Sequence, residues 1–268
     1  MVGYLNRVKA ADYTGCCPPK YRRPSEKRTA EAMDKAAPAP VKSRALRTGA
    51  QVAGKIRMNQ PETLTVAGPA GGLETICLPA QGAERGVAVI NHPNPLQGGT
   101  NTNKVIQTAA KALCRMGFHC YLPNLRGVGG SAGEHDYGHG ETADCTAVID
   151  FARSRHPQAG KLVIAGFSFG GYVALFAAQQ RRPDLLLLVA PAVRHYDRER
   201  EPDAPDPVRT LLIHGETDDV VKLQQSLDWA APQDIPVVVV PQAGHFFHGK
   251  LIQLRDTVAR FAPAVLTA

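Results

Sequence analysis

The sequence predicts an α/β fold, a mostly parallel central sheet with helices on both faces. Three observations predict it. Short runs of β-branched and other apolar residues recur from Thr63 to the C-terminal end. Segments with an i, i+4 apolar stripe separate them. Several runs, such as GVAVIN at 86–91, are apolar without alternation, as a strand covered on both faces requires.

In chain order, TLTVA (63–67) and LETICL (73–78) alternate about GPAGG, the pattern of an antiparallel hairpin. GVAVIN is the first interior strand. Val105, Ala109 and Leu113, with Ile106 and Ala110, mark a helix over 103–116. FHCYLP (118–123) is the next strand, 142–155 the next helix, and KLVIAG (161–166) another strand. A helix from Gly170 to about Arg181 leads to the strand LLLLVA (185–190). RTLLIHG (209–215), a helix near 223–230, PVVVVP (236–241) and a final helix over 247–261 complete the alternation. Only Pro191 to Val208 separate LLLLVA from RTLLIHG, and the RHYDREREPDAPDP they contain is too polar and proline-rich for an apolar cap. No lid domain is expected.

Charge divides the chain. Residues 1–57 hold 13 Lys/Arg and 4 Asp/Glu, a net +9, whereas 58–268 carry a net −2. The overall +7 therefore belongs to the N-terminal stretch and argues against a nucleic-acid-binding core. That stretch has proline pairs and neither helical nor strand period, so 1–57 is expected to be a disordered basic extension. The folded domain is expected over 58–268, with Met58 reading as a natural chain start. The longest apolar run, LLLLVAPAV, is far short of the roughly 20 residues of a spanning helix. Six cysteines (Cys16, Cys17, Cys77, Cys114, Cys120, Cys145) form no C-x-x-C pair, and four lie in apolar runs. Buried thiols in a reducing, cytoplasmic setting follow, with no membrane or nucleic-acid partner and no metal or organic cofactor.

The chemistry-bearing stretch is GFSFGG (166–171), which satisfies G-x-S-x-G between a strand and a helix. This is the context of a nucleophile elbow, where a serine occupies a strained turn and residues two positions away must be small. Gly166 and Gly170 meet that need, and Gly171 would let the helix approach the sheet. A Gly-rich turn that merely contains serine is the bland alternative. A serine hydroxyl needs a base, and the base an orienting acid, in the chain order serine, acid, histidine. LLIHGETDDVV offers Asp218 as the acid, with Glu216 and Asp219 as rivals. VVVVPQAGHFFHG offers His245 as the base behind Gly244, with His248 as the rival in the first turn of the last helix. Two N–H donors complete such a site. One is the backbone N–H of Phe169. The other is that of Asn94 in HPNPLQGG, since Pro93 and Pro95 have none to offer. Phe167, Phe169, Tyr172 and Phe247 stand around these residues as an apolar acyl pocket or as plain core.

Together GFSFGG, HGETDDVV, AGHFFHG, HPNPLQGGTNTNKV and LRGVGGSAGEHDYGHGE resemble the serine-esterase-like α/β-hydrolases, most closely a small lidless bacterial branch distantly similar to dienelactone hydrolases. The resemblance runs from about Met58 to the C-terminus. It implies Ser168 as nucleophile, Asp218 as acid and His245 as base, with Asn94 and Phe169 at the oxyanion positions. It also implies that RGVGGSAG (126–133) is a structural, pocket-shaping turn. Dienelactone hydrolases proper carry a cysteine nucleophile where this chain has serine, so a small-molecule ester is the expected substrate rather than their lactone. Thioester, peptide or acyl-transfer chemistry on the same residues is the alternative, as is a binding protein that keeps the fold without catalysis.

Overall fold

The computed structural model describes residues 60–193, 196 and 202–267. The extension expected over 1–57, its boundary at Met58, and Cys16 and Cys17 lie outside them. Along the chain run β1 (Glu62–Gly68), β2 (Gly71–Leu78), β3 (Gly86–Asn91), α1 (Lys104–Arg115), β4 (Phe118–Pro123), α2 (His139–Arg155), β5 (Lys161–Phe167) and α3 (Phe169–Gln180). β6 (Leu185–Val189), β7 (Thr210–Gly215), α4 (Leu223–Ala230), β8 (Val237–Val240) and α5 (Leu251–Thr267) follow.

The strands form one sheet in the order β1-β2-β4-β3-β5-β6-β7-β8. β1 pairs antiparallel with β2, and β2 with β4; every later pairing is parallel. Alternate residues of each interior strand feed opposite cores, as the two-residue side-chain period dictates. Val87 and Val89 of β3, Leu162 and Ile164 of β5, and Leu186 and Leu188 of β6 meet α2, α3 and α4. Ala88 and Ile90, Val163 and Ala165, and Leu185 and Leu187 meet α1 and α5. This double burial is why the strands read as unbroken apolar runs.

Local chemistry sets the helix ends. Asn103 Oδ1 accepts the N–H groups of Val105 (2.9 Å) and Ile106 (3.4 Å), starting α1 where the apolar stripe begins. α2 starts at His139, three residues before the expected position. The buried Glu141 carboxylate accepts the Asp136 and Gly138 N–H groups, each at 2.9 Å, and so draws the preceding turn onto the helix. α5 starts four residues late, because Gly249 takes φ +70° and a turn closes from Lys250 N to the Phe247 carbonyl at 2.9 Å. It then runs through Pro263 to Thr267, since Leu254, Val258, Ala262 and Leu266 continue the buried i, i+4 stripe. Cys77, Cys114, Cys120 and Cys145 are buried free thiols. No helix among the described residues is long and apolar enough to cross a membrane.

Candidate active site

β3 and β5 are neighbours, but the chain leaves them toward opposite edges of the sheet, which opens a crevice beyond their carboxyl ends. Their last paired residues are Asn91 and Gly166. The HPNPLQGG loop therefore leaves the sheet beside the GFSFGG turn. A Cβ on Gly170 would collide with the Asn91 and His92 carbonyls, and one on Gly166 with the Gly170 carbonyl. These two glycines are what allow the elbow to seat against the neighbouring strand. Gly171 instead makes room for Pro191, beyond β6, rather than for the sheet itself.

Ser168 holds φ 54° and ψ −117°, a left-handed conformation that costs a non-glycine residue of order 1–3 kcal/mol. Its backbone is pinned there. Ser168 N–H donates to the Val189 carbonyl (3.0 Å), while its carbonyl accepts Gly171 (2.9 Å), Ala192 (3.1 Å) and Tyr172 (3.3 Å) N–H groups. Its side chain caps nothing, although it precedes the first residue of α3, Phe169. The N–H of that first residue has no intrahelical acceptor and sits at the positive end of the helix.

The loops after β7 and β8 are tied together in the same way. Glu216 N–H donates to the Val240 carbonyl and Thr217 N–H to that of Ala243, both at 3.0 Å. This brings Asp218 and His245 together: His245 Nδ1 lies 2.7 Å from Asp218 Oδ2, and both side chains are buried. Asp218 Oδ1 accepts the Val220 (2.9 Å) and Val221 (2.8 Å) N–H groups. His214 Nε2 donates to the Val221 carbonyl (2.9 Å) and faces Asp218 Oδ2 at 3.3 Å. Burial pushes the Asp218 carboxyl up, but hydrogen bonds from His214, His245 and the Val221 N–H outweigh it, holding the group well below the usual carboxylate range. The His245 ring packs on Phe167, the residue before Ser168, with centroids 4.7 Å apart. Among the described residues, no hydrogen bond joins Ser168 to His245.

The rivals separate by position. Glu216 is exposed and accepts the Gln242 N–H at 2.8 Å, and Asp219 is exposed. His248 is exposed in the turn before α5, not in its first helical turn. Gly244 lies outside the left-handed region; the strained residues of that loop are Gln242 (φ 55°) and Phe247 (φ 52°). Phe167, Phe169, Tyr172 and Phe247 are fully buried, so they are core rather than the lining of an open pocket. Asn94 starts a short turn, its Oδ1 accepting Leu96 N–H (2.9 Å) and its carbonyl accepting Gln97 and Gly99 N–H groups (3.1 and 3.0 Å). None of the hydrogen bonds among the described residues uses the Asn94 N–H.

Arg126 to Gly133 is a brace, as expected of that motif. Arg126 forks onto Asp144 (2.7 and 2.8 Å), and Ser131 Oγ donates to the Asn124 carbonyl (2.7 Å) while accepting Glu74 N–H (3.0 Å). Glu84, His119 and His156 cluster at the other end of the sheet. The two imidazoles stack at 3.7 Å and 15°, and His119 Nδ1 accepts the Ala80 N–H. Lone pairs in such parallel planes cannot converge on one ion at the 2.0–2.1 Å of an imidazole–zinc bond, so these residues do not make a metal centre.

Sequence reasoning missed two histidines. His214 is the next-to-last residue of β7 and completes the set of groups around the Asp218 carboxylate. His92 follows β3: its Nε2 accepts Leu125 N–H (3.0 Å), which leaves Nδ1–H to donate to the Pro93 carbonyl (2.7 Å) just before Asn94. A histidine at the carboxyl end of an interior strand was the available signal in both cases. Burial pushes the His92 pKa down to about 4. An unfolded histidine titrates near 6.5, so the stability supplied by neutral His92 is full above that value and drains as pH falls toward 4. Its loss between pH 7 and pH 5 should come to about 2 kcal/mol. Denaturation midpoints at the two pH values should show it, and His92→Gln should remove that share of the acid sensitivity.

A family model described as serine aminopeptidase, S33, matches residues 85–205. Solved structures similar over nearly their whole length include the two that follow. XC6422 from Xanthomonas campestris, an α/β serine hydrolase without a lid, is 36% identical over 78% of this chain and 96% of its own, with a TM-score of 0.72. An α/β serine hydrolase homologue from Coxiella burnetii is 36% identical over 74% and 96%, with a TM-score of 0.67. RP471, an uncharacterized protein of Rickettsia prowazekii, is 32% identical over 195 residues, 68% of this chain and 81% of that protein. A shared fold, together with this identity across almost all of XC6422, makes the chain a member of the lidless α/β serine hydrolases.

Proposed function

We propose that the protein hydrolyses small carboxylic esters through an acyl-serine intermediate, with Ser168 as nucleophile, His245 as base and Asp218 as orienting acid. One observation carries the reading: a buried Asp218–His245 pair at 2.7 Å packs against the residue before an elbow serine held at φ 54°. Because Nδ1–H points at the carboxylate, His245 presents Nε2 as the free base. Ser168 Oγ attacks the ester carbonyl as its proton passes to His245 Nε2. The Phe169 and Asn94 N–H groups receive the oxyanion. His245 returns the proton to the departing alkoxide, then takes one from the water that cleaves the acyl-serine. Ser168 and His245 share no hydrogen bond among the described residues, and in this reading that bond forms when substrate binds.

Exposed apolar side chains near these residues support a small ester as the substrate. Among the described residues, Leu96, Tyr137, Val220 and Phe246 are exposed apolar side chains. Leu96, Val220 and Phe246 lie within two residues of Asn94, Asp218 and His245, and Tyr137 packs on His135, which touches Phe169. Exposed apolar side chains close in sequence to the site residues suit a small ester with an apolar acyl or alcohol group. The four buried free thiols suit a reducing, cytoplasmic setting. Peptide hydrolysis is the second reading, favoured by the serine aminopeptidase description of the matching family model.

A fluorophosphonate probe, read by intact mass and peptide mapping, tests the serine. One adduct on Ser168, absent in Ser168→Ala, is expected; an unlabelled, folded protein would overturn the proposal. Rates on matched ester, thioester and aminoacyl amide substrates then separate the readings, with the ester expected to be fastest.

A further inference from the structure

The loop after β3 carries Asn94 and ends at Asn103, where α1 begins; the loop after β8 carries His245 and ends where α5 begins. α1 and α5 lie side by side. Between the ends of the two loops is a cavity of about 160 Å³, lined by Asn103, Lys104, Val105, Phe246, His248 and Leu251. Phe246 is the wall it shares with the candidate active site. That ring stands edge-on to His245, with centroids 5.0 Å apart at 83°, and edge-on to Phe167 at 5.9 Å. It also lies 5.9 Å from the His248 ring. Phe246 is 43% exposed, so the wall is open to a ligand. The lining sorts by chemistry. Val105, Phe246 and Leu251 are apolar, whereas Lys104 and His248 are exposed basic groups. Asn103 Oδ1 is taken by the Val105 and Ile106 N–H groups, which leaves its NH2 as a donor. No carboxylate lines the cavity, and among the described residues no ion pair engages Lys104.

We propose that this cavity is a subsite for a carboxylate carried on the alcohol part of the ester, with Lys104 as its counter-ion and Phe246 as the shelf for the chain between. The inference rests on the ester-hydrolase reading. His245 must protonate the departing alkoxide, so the alcohol is the part of the ester that lies against His245, and the Phe246 ring is what lies beyond it. A short alkyl chain laid across Phe246 covers apolar surface there and on Leu251, and its far end comes to Lys104. An apolar cavity of roughly 150 Å³ holds a molecule the size of benzene, so this one takes a short chain and its end group. One full cation beside an imidazole matches a monoanion rather than a phosphate dianion. The subsite also gives a task to His248, which lies outside the catalytic pair.

The probes are γ-acetoxybutyrate and ε-acetoxycaproate, each compared with its primary amide, which has the same shape and no charge. In the full-length protein, kcat/KM should favour the better acid over its amide by about twofold to fivefold, the worth of one partly exposed ion pair. Added salt should narrow that ratio. Lys104→Gln should remove the preference and Lys104→Glu should invert it. Lys111→Gln, on the same helix but outside the cavity, should leave the ratio at its wild-type value. Wild type that takes the fluorophosphonate label but shows no preference, or a preference that survives Lys104→Glu, would overturn the inference and leave the hydrolase reading intact. A preference found only with half-esters of dicarboxylic acids, whose charge lies on the acyl part, would overturn the assignment to the alcohol. Wild type that takes no label would overturn the hydrolase reading itself, and this inference with it.

Discussion

Ser168→Gly should lower ester turnover by roughly 10⁴- to 10⁶-fold and at the same time raise the melting temperature. The two effects come from the same backbone angles. At φ 54° and ψ −117°, the serine Cβ is held in a region that glycine enters freely, so removing it releases strain of order 1–3 kcal/mol. Glycine gives back about 0.5–1 kcal/mol through the greater entropy of the unfolded chain. A net gain near 1 kcal/mol should lift the melting temperature by about 2–4 °C in a domain of this size. Ser168→Ala is the control, since it loses the nucleophile and keeps the strained Cβ. Its turnover should match that of the glycine variant, and its melting temperature should stay near that of the wild type. A serine that served only as turn architecture would leave initial rates unchanged in both. A glycine variant no more stable than the alanine one would mean that the elbow stores no strain.

Asp218→Asn should cost about 10⁴-fold in kcat, while Glu216→Gln and Asp219→Asn leave it within twofold. The asparagine keeps the size of the side chain and one oxygen for the Val220 and Val221 N–H groups. It turns an NH2 toward His245 Nδ1, however, and an NH2 cannot accept the proton that holds the imidazole in its working tautomer. The carboxylate lies well below the usual range in the folded state, so it is ionised throughout the neutral and mildly acidic range. Its contribution to stability is present above the ordinary carboxylate value and is lost only as pH falls through the lowered one. The turnover deficit should therefore be the same at pH 6 and pH 8. Asp218→Ala adds a stability cost of about 2–4 kcal/mol, because buried donors from Val220, Val221, His214 and His245 lose their acceptor. Glu216 and Asp219 are exposed, so their neutral variants strand no buried partner. Equal losses from all three substitutions would remove Asp218 from its assigned role.

The order of strands and helices was legible in the sequence because each rests on a period shorter than five residues. Double burial made β3, β5, β6 and β7 read as unbroken apolar runs, and the stripe of α1 was visible for the same reason. The element ends were less legible. The start of α2 depends on Glu141 reaching back to Asp136 and Gly138, and the length of α5 on a stripe that outweighs Pro263. Ser168 was legible too, since the small neighbours an elbow requires lie within two residues of it.

Local spacing encodes the α/β alternation, the elbow and the pool of acids and bases that could serve it. Tertiary structure alone decided which members of the pool meet. Glu216, Asp218 and Asp219 fall within four consecutive positions and are equivalent as carboxylates. Only pairing of β7 with β8, and of the loops beyond them, turns Asp218 inward onto His245 while its neighbours remain in solvent. His92 and His214 take their places in the same way. Their partners are defined by sheet order and by the closure of loops, and a partner defined in space leaves no periodic mark along the chain.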